Sequence, residues 1–159
     1  MNRTEYEVIQ FQSEYHDSLN QFLANVMKKM HGSVFEPDGK DSDVKRIEDV
    51  YLSRSGTFLL LTYRDQVVGS IGLRARDDRI AELKRFYVLE EHCGRGLGRE
   101  LLEKTIRHAR DHNFHSVRLD TTSRSTRAIQ LFESEGFEYI EKYNDDPYAE
   151  CYMELELGS

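Results

Sequence analysis

Apolar positions recur along this chain with two different periods, and the change between them marks its organisation. Residues 17–30, DSLNQFLANVMKKM, place Leu19, Phe22, Leu23, Val26 and Met27 at helical spacing behind Asp17 or Ser18, either of which can cap a helix. Residues 41–53, DSDVKRIEDVYLS, repeat the pattern with Val44, Ile47, Val50 and Tyr51 and predict a second helix beyond the loop HGSVFEPDGK. From residue 57 the period shortens to that of strands. TFLLLTY (57–63), VVGSIGLRA (67–75) and RIAELKRFYVL (79–89) are joined by RDQ and RDD, turns short enough for three consecutive antiparallel strands. A helix over 97–112 follows, with Leu102, Ile106 and Ala109 on its inner side, and then a strand over 114–122. A strand reached through a helical crossover should lie parallel to its predecessor, so 114–122 should run beside 79–89. A short helix over 125–134 stops at Gly136, and FEYIEKY and AECYMELEL close the chain as two strands around NDDP. With YEVIQF (6–11) as a first strand, the order is βααβββαβαββ. The expected fold class is α/β (α+β): a mixed, mostly antiparallel central sheet flanked by helices, in one domain over 1–159.

Composition narrows the classes. The 159 residues are 38% hydrophobic and 32% charged, the balance of a globular domain with a real core. No run of about 18 apolar residues exists, so no membrane partner is expected. MNRTEYEVIQ lacks the apolar stretch of a secretory signal, which leaves Asn2-Arg3-Thr4 a glycosylation triplet without a compartment. Cys93 and Cys151 show no metal-ligand spacing, so no metal is expected and the thiols read as free in a reducing, cytoplasmic setting. A net charge of −7 without a basic-aromatic stripe argues against nucleic acid as a partner, yet does not forbid one small phosphate site.

The segment that carries chemistry joins the third long strand to the helix at 97: HCGRGLG, residues 92–98. Strand, glycine loop and helix together gather free backbone N–H groups and the positive end of a helix dipole at one point, an arrangement suited to phosphate. Glycines there let main chain approach oxygens that a Cβ would block. A tight turn with helix-capping glycines is the alternative. The loop lacks GxxxxGK[ST], and Gly94, Gly96 and Gly98 spell GxGxG rather than the dinucleotide GxGxxG.

Two longer blocks resemble one known family. ELKRFYVLEEHCGRGLGRELL (82–102) is similar to the core signature of the GCN5-related N-acetyltransferases (GNAT superfamily): a strand ending in Tyr-Val, an acidic turn, [Gln/Arg]-x-x-Gly-x-Gly and a leucine pair. STRAIQLFESEGF (125–137) resembles that superfamily's second landmark, Asn-x-x-Ala-x-x-Leu-Tyr-x-x-x-Gly-Phe. The likeness covers about 57–157, and the N-terminal helices only by architecture. It implies acetyl-CoA as co-substrate, lying where strands 82–88 and 115–121 splay apart. Its pyrophosphate would rest on the loop of Cys93 and Gly94, at the amides of Arg95, Gly96, Leu97, Gly98 and Arg99. Its pantetheine arm would pair along Phe86, Tyr87 and Val88 like an added strand, with the acetyl carbonyl near the Phe86 amide. Ser125, Ala128 and Phe132 of the second landmark would complete the cofactor site.

This sequence departs from the family pattern at three of these positions. Cys93 stands where Gln or Arg is usual, and a thiolate near a helix N-terminus is an alternative role for it. Ser125 replaces Asn. Phe132 replaces the tyrosine that protonates the departing thiolate; such help is worth about 10²–10⁴-fold, although a thiol of pKa about 8.5 is a tolerable leaving group without it. Either water or another tyrosine would then supply the proton: Tyr143 and Tyr148, flanking NDDP, are the candidate donors, or else half-buried strand ends or pocket walls. By analogy with relatives that use a glutamate on this strand, Glu82 is the expected base acting through water; pairing with Lys84 is the alternative. Alternation would put Glu82 on one face with Lys84, Phe86 and Val88. His92, His108, His112 and His115 read as surface residues.

The implied acceptor is a primary amine of a small molecule or amino acid; a protein N-terminus and a non-catalytic acyl-CoA-binding module are the alternatives. Glu36, Asp38, Asp145 and Asp146 suit a cationic amine, whereas Lys28, Lys29 and Arg124 suit a carboxylate, and the sequence does not choose. CYMELEL could offer an edge for a homodimer, and a covered edge is equally consistent with the pattern.

Overall fold

The computed structural model describes residues 5–158; the Asn2-Arg3-Thr4 triplet lies outside the described residues. Seven strands form one sheet: β1 (Tyr6–Gln10), β2 (Thr57–Tyr63), β3 (Gln66–Ala75), β4 (Ile80–Val88), β5 (Ser116–Thr121), β6 (Glu138–Tyr139) and β7 (Cys151–Glu156), in the spatial order β1-β2-β3-β4-β5-β7-β6. Among the described residues only β4 and β5 run parallel, as the crossover between them requires. Three helices flank the sheet: α1 (His16–His31), α2 (Leu97–Asp111) and α3 (Thr126–Ser134).

Each face of the sheet buries its own cluster. On one, α1 packs Leu19, Phe22, Leu23 and Val26 against Val44, Ile47, Tyr51, Phe58 and Leu60. On the other, Leu97, Leu101, Leu102, Ile106 and Ala109 of α2 meet Ile71, Leu73, Ala81, Leu83, Val117 and Leu119. A Leu or Ile fully buried in such a cluster contributes about 1.5–3 kcal/mol, which is how short elements with weak intrinsic preference stay in place.

Several expectations need correction. Residues 41–53 do not form an α-helix but a 3-10 turn (Ser42–Lys45) and a π-helical turn (Glu48–Leu52). The apolar face is kept, with Val44, Ile47 and Tyr51 fully buried, while Asp41 and Asp43 are drawn to a distant arginine and bend the chain out of helical register. The helix expected behind Asp17 or Ser18 starts earlier, at His16, because a 3-10 turn over Ser13–Tyr15 leads into it. Ser18 Oγ instead accepts the Val67 N–H at 3.0 Å, binding α1 to β3. The last two segments cross over: β7 inserts between β5 and β6, so of the two readings of CYMELEL the covered edge is the one observed. Among the described residues no helix is long and apolar enough to cross a membrane.

Candidate active site

The parallel pair β4–β5 holds for only three rungs, Ile80 with Ser116, Ala81 with Val117 and Glu82 with Arg118. Beyond them β5 stays paired to β7 as far as Thr121, and β4 stays paired to β3 as far as Val88, so a wedge opens between the two strands. A bulge in β4 accompanies the opening. Ser70 faces Tyr87 and Gly72 faces Lys84, which leaves Arg85 and Phe86 opposite the single residue Ile71. Arg85 sits at φ +56°, its carbonyl accepting the Ser70 hydroxyl at 2.6 Å. Such a bulge raises local twist and bends its strand, here away from β5.

The bulge also inverts side-chain alternation, which corrects the expected face of Glu82. Phe86 and Val88 pack with Ala81 and Leu83 on the α2 side, while Tyr87 belongs to the α1 side. Glu82 and Lys84 therefore do not share a face with Phe86 and Val88, and the Tyr87 side chain points away from them. The Leu89 N–H donates to the Val68 carbonyl at 2.9 Å, so by ladder alternation the main-chain groups of Val88 face the wedge.

The glycine loop stands at the mouth of this wedge. Gly94 and Gly96 lie at φ +79° and +78° with open space where a Cβ would stand, so conformation rather than crowding demands glycine at both. Gly96 is the N-cap of α2, and no side chain caps the helix. The first-turn N–H groups thus point outward with no intrahelical acceptor, toward the positive dipole end. A Cβ on Gly98 would lie 3.4 Å from Leu131, 3.7 Å from Phe86 and 3.8 Å from Val88. These contacts draw the loop, the bare strand and α3 together. Leu97 buries its side chain in the core, so only its amide remains for the loop. Arg99 binds Ser134 at the end of α3 and the following Glu135 at 3.2 and 3.1 Å. The half-buried Cys93 thiol donates to the Leu89 and Val88 carbonyls at 3.5 and 3.7 Å. Ser125 precedes α3 without capping it, 3.3 Å from the Thr122 hydroxyl, and Ala128 is half-buried on the following turn. Phe132 is buried, its ring 5.7 Å from Phe86 and 5.5 Å from Phe137.

On the α1 side of the sheet, Glu82 is wholly buried at the last paired rung. Arg74 donates to Oε1 at 3.0 Å, the Tyr143 hydroxyl donates to Oε2 at 2.7 Å, and Arg76 approaches Oε2 at 3.5 Å. Burial pushes this carboxyl up, but the Lys84 charge, the Tyr143 bond and Arg74 outweigh it and hold Glu82 below its ordinary range. Burial and the neighbouring Glu82 charge raise the Tyr143 phenol well above its own. The two sequence candidates for proton transfer are thus bonded to each other. Tyr148 is 58% exposed and stands apart from them.

Sequence reasoning missed a second ionic cluster. Arg85 Nη2 reaches Asp41 Oδ1 at 3.0 Å and Asp43 Oδ1 at 2.6 Å, its Nε reaches Asp43 Oδ2 at 3.0 Å, and Tyr51 donates to that same oxygen at 2.6 Å. Its partners lie more than forty residues away along the chain, and no local pattern announces them. His92 is another correction: it is buried, 2.6 Å from the Tyr6 hydroxyl, because the turn carrying it folds under β1 and β2. His108 is half-buried against the Ser55 carbonyl at 3.0 Å, while His112 and His115 are exposed.

A split parallel pair and a glycine-headed helix are the features the two sequence landmarks foretold, the bulge is not, and comparison with known proteins bears on the same family. The model of the acetyltransferase (GNAT) family matches residues 21–137. The chain belongs to the GNAT acetyltransferase family. Among curated relatives it is 31% identical over 104 residues to the uncharacterized N-acetyltransferase YjgM of Escherichia coli, covering 64% of this chain and 62% of that protein. It is 30% identical over 101 residues to the N-acetylaspartate synthetase of Xenopus tropicalis, covering 62% of this chain and 37% of that one. The chain therefore spans less than two thirds of these relatives' length. An acetyltransferase from Streptococcus agalactiae superposes with a TM-score of 0.85 at 26% identity, over 96% of this chain and 99% of that one. The yncA protein of Salmonella typhimurium, solved with its cofactor acetyl-CoA, superposes with a TM-score of 0.75 at 18% identity, over 97% and 95%.

Proposed function

We propose that this chain transfers an acetyl group from acetyl-CoA to the primary amine of a small molecule or amino acid. The observation that carries the reading is the convergence of the uncapped α2 N-terminus, the bare edge of β4 and α3 at Gly98. A pyrophosphate fits that cradle, since the amides of Arg95, Gly96, Leu97, Gly98 and Arg99 present donors and the dipole favours an anion. Phe86 and Val88 would hold an extended arm through main chain, and Ser125, Ala128 and Phe132 would flank it. Acetyl-CoA supplies the acetyl group as a thioester, whose carbonyl would be polarised by amides at the bulge. Glu82 and Tyr143 enter this reading as one bonded pair: the phenol donates elsewhere only when that bond breaks, and Glu82 reaches an amine only through water admitted past Tyr143. The amino-acid class of acceptor is supported by the likeness to N-acetylaspartate synthetase.

The buried, hydroxyl-free Phe132 ring favours a second reading, an acyl-CoA-binding module without turnover. Calorimetry with acetyl-CoA, followed by thiol release with L-aspartate, L-glutamate, spermidine and tyramine, separates the two. Tight binding with turnover of at least one amine is the expected result. Binding with no turnover favours the module, and no binding ends both readings.

A further inference from the structure

The wedge between β4 and β5 has a charged floor. Continuing the parallel register past its last rung sets Lys84 level with Asp120, and the side chains do meet, Lys84 Nζ lying 3.8 Å from Asp120 Oδ2. Asn144 Nδ2 donates to the same oxygen at 2.6 Å. Val117 and Leu119 bury on the α2 side, so Asp120 projects from the other face of β5, the face that carries Glu82 and Tyr143. Its side chain is 10% exposed, and Oδ1 has no hydrogen-bond or ion-pair partner among the described residues. A carboxylate with one oxygen pinned and the other open is arranged to receive a cation from the wedge. Glu82, one step back along the register, has both oxygens taken.

We infer that Asp120 is a catalytic residue that receives the acceptor's ammonium group and takes its proton. The inference rests on the proposed reading that the thioester lies in the wedge. Asp120 Oδ1 accepts one ammonium proton and passes it to water. The freed nitrogen lone pair forms the N–C bond at the thioester carbon while the carbonyl electrons move onto oxygen. Return of those electrons breaks the C–S bond, and the nitrogen's surplus proton leaves, through water, with the thiolate. The products are the acetamide and the free thiol, with one proton released. The groups facing Asp120 are Lys84 from β4, Tyr152 across the rung on β7, and Tyr143 and Asn144 from the β6–β7 connection. Lys84 helps through its charge, which disfavours a second cation beside it and so eases proton loss from the amine.

The test is Asp120→Asn, which preserves shape and an acceptor for Asn144, with Glu82→Gln as comparison. Calorimetric binding of acetyl-CoA should be unchanged in Asp120→Asn, while kcat/KM for the fastest amine of the panel falls about 10²–10⁴-fold. The deficit should narrow as pH rises and the amine loses its proton unaided, and should be smaller for methoxyamine, which is uncharged at pH 7. Titration of the same amine into protein saturated with coenzyme A should show weaker binding to the variant, a readout independent of turnover. A deficit that is constant across pH and amines overturns the inference, as does a pH-dependent loss carried by Glu82→Gln instead. Should Asp120→Asn fail to fold, Lys84→Met reads the same pair from the other side: the rise of rate must move to higher pH, and an unmoved profile overturns the inference. Absence of acetyl-CoA binding to the wild-type chain would overturn it together with the reading beneath it.

Discussion

Removing the Arg85 side chain is the sharpest probe of how this fold holds its wedge open. Arg85 is 11% exposed and its partners Asp41 and Asp43 are 4% and 16% exposed, so Arg85→Ala leaves Asp43 without a cation and Asp41 with Lys40 alone, at 3.1 Å. Breaking a buried pair in this way costs about 3–5 kcal/mol, a third or more of the stability of an ordinary domain. Burial drives the Asp43 carboxyl up, and the Arg85 bonds and charge with the Tyr51 hydroxyl outweigh it, so the folded value lies below the ordinary one; Asp41 is lowered against burial by the Glu36 N–H, Lys40 and Arg85. Depressed carboxylates contribute stability that is fully present above the unfolded Asp value and lost as pH falls through the folded one. In the variant burial at Asp43 is opposed chiefly by the Tyr51 hydroxyl, so that carboxyl favours protonation, and the deficit should be largest near pH 7 and shrink toward pH 4. Urea unfolding followed by circular dichroism across that range measures it. Arg85→Gly should lose about 1 kcal/mol less than Arg85→Ala, because a non-glycine residue at φ +56° carries strain that glycine relieves. A deficit below about 1 kcal/mol, or one that does not change with pH, would refute the account of a charge-held bulge.

Three further outcomes are expected. Gly96→Val should cost about 1–2 kcal/mol for placing a branched residue at φ +78°, and should weaken acetyl-CoA binding in calorimetry; full affinity in a folded variant would deny the loop its role. Phe132→Tyr should lower the thermal midpoint, since its hydroxyl enters a buried aromatic cluster at a cost of about 1–3 kcal/mol, without raising kcat; a faster enzyme would show that the hydroxyl reaches the leaving thiol. Burial, with the Arg95 charge, lowers His92 against the opposing pull of Glu91. Its stabilising effect is therefore present above the ordinary histidine value and fades as pH falls through the folded one. His92→Gln should flatten part of the stability loss between pH 7.5 and 5.5 in urea titrations, and an unchanged slope would count against a buried neutral imidazole.

Much of this molecule was legible locally. The helical stripe of Leu19, Phe22, Leu23 and Val26, the three strands from residue 57 and the crossover helix depend on periodicity and turn length, which neighbours along the chain decide. The glycine loop was legible because positive φ at Gly94 and Gly96 is a property of the residue type. Less legible was the segment 41–53, where apolar spacing named the buried residues correctly but the path between them was set by Arg85. Glu82 illustrates the same limit. Strict alternation would place it beside Phe86 and Val88, and a single bulged residue moved them to opposite faces.

Fold class, the succession of the strands along the chain and the place of the glycine turn were therefore determined by the sequence alone, since each rests on short-range pattern and backbone permissiveness. Only the tertiary structure decided where charges met: Arg85 with Asp41 and Asp43, Glu82 with Arg74 and Tyr143, Asp120 with Lys84 and Asn144. Most of these contacts join residues far apart in the chain. Ion pairing carries no periodicity, so it becomes visible only once the sheet brings such residues together.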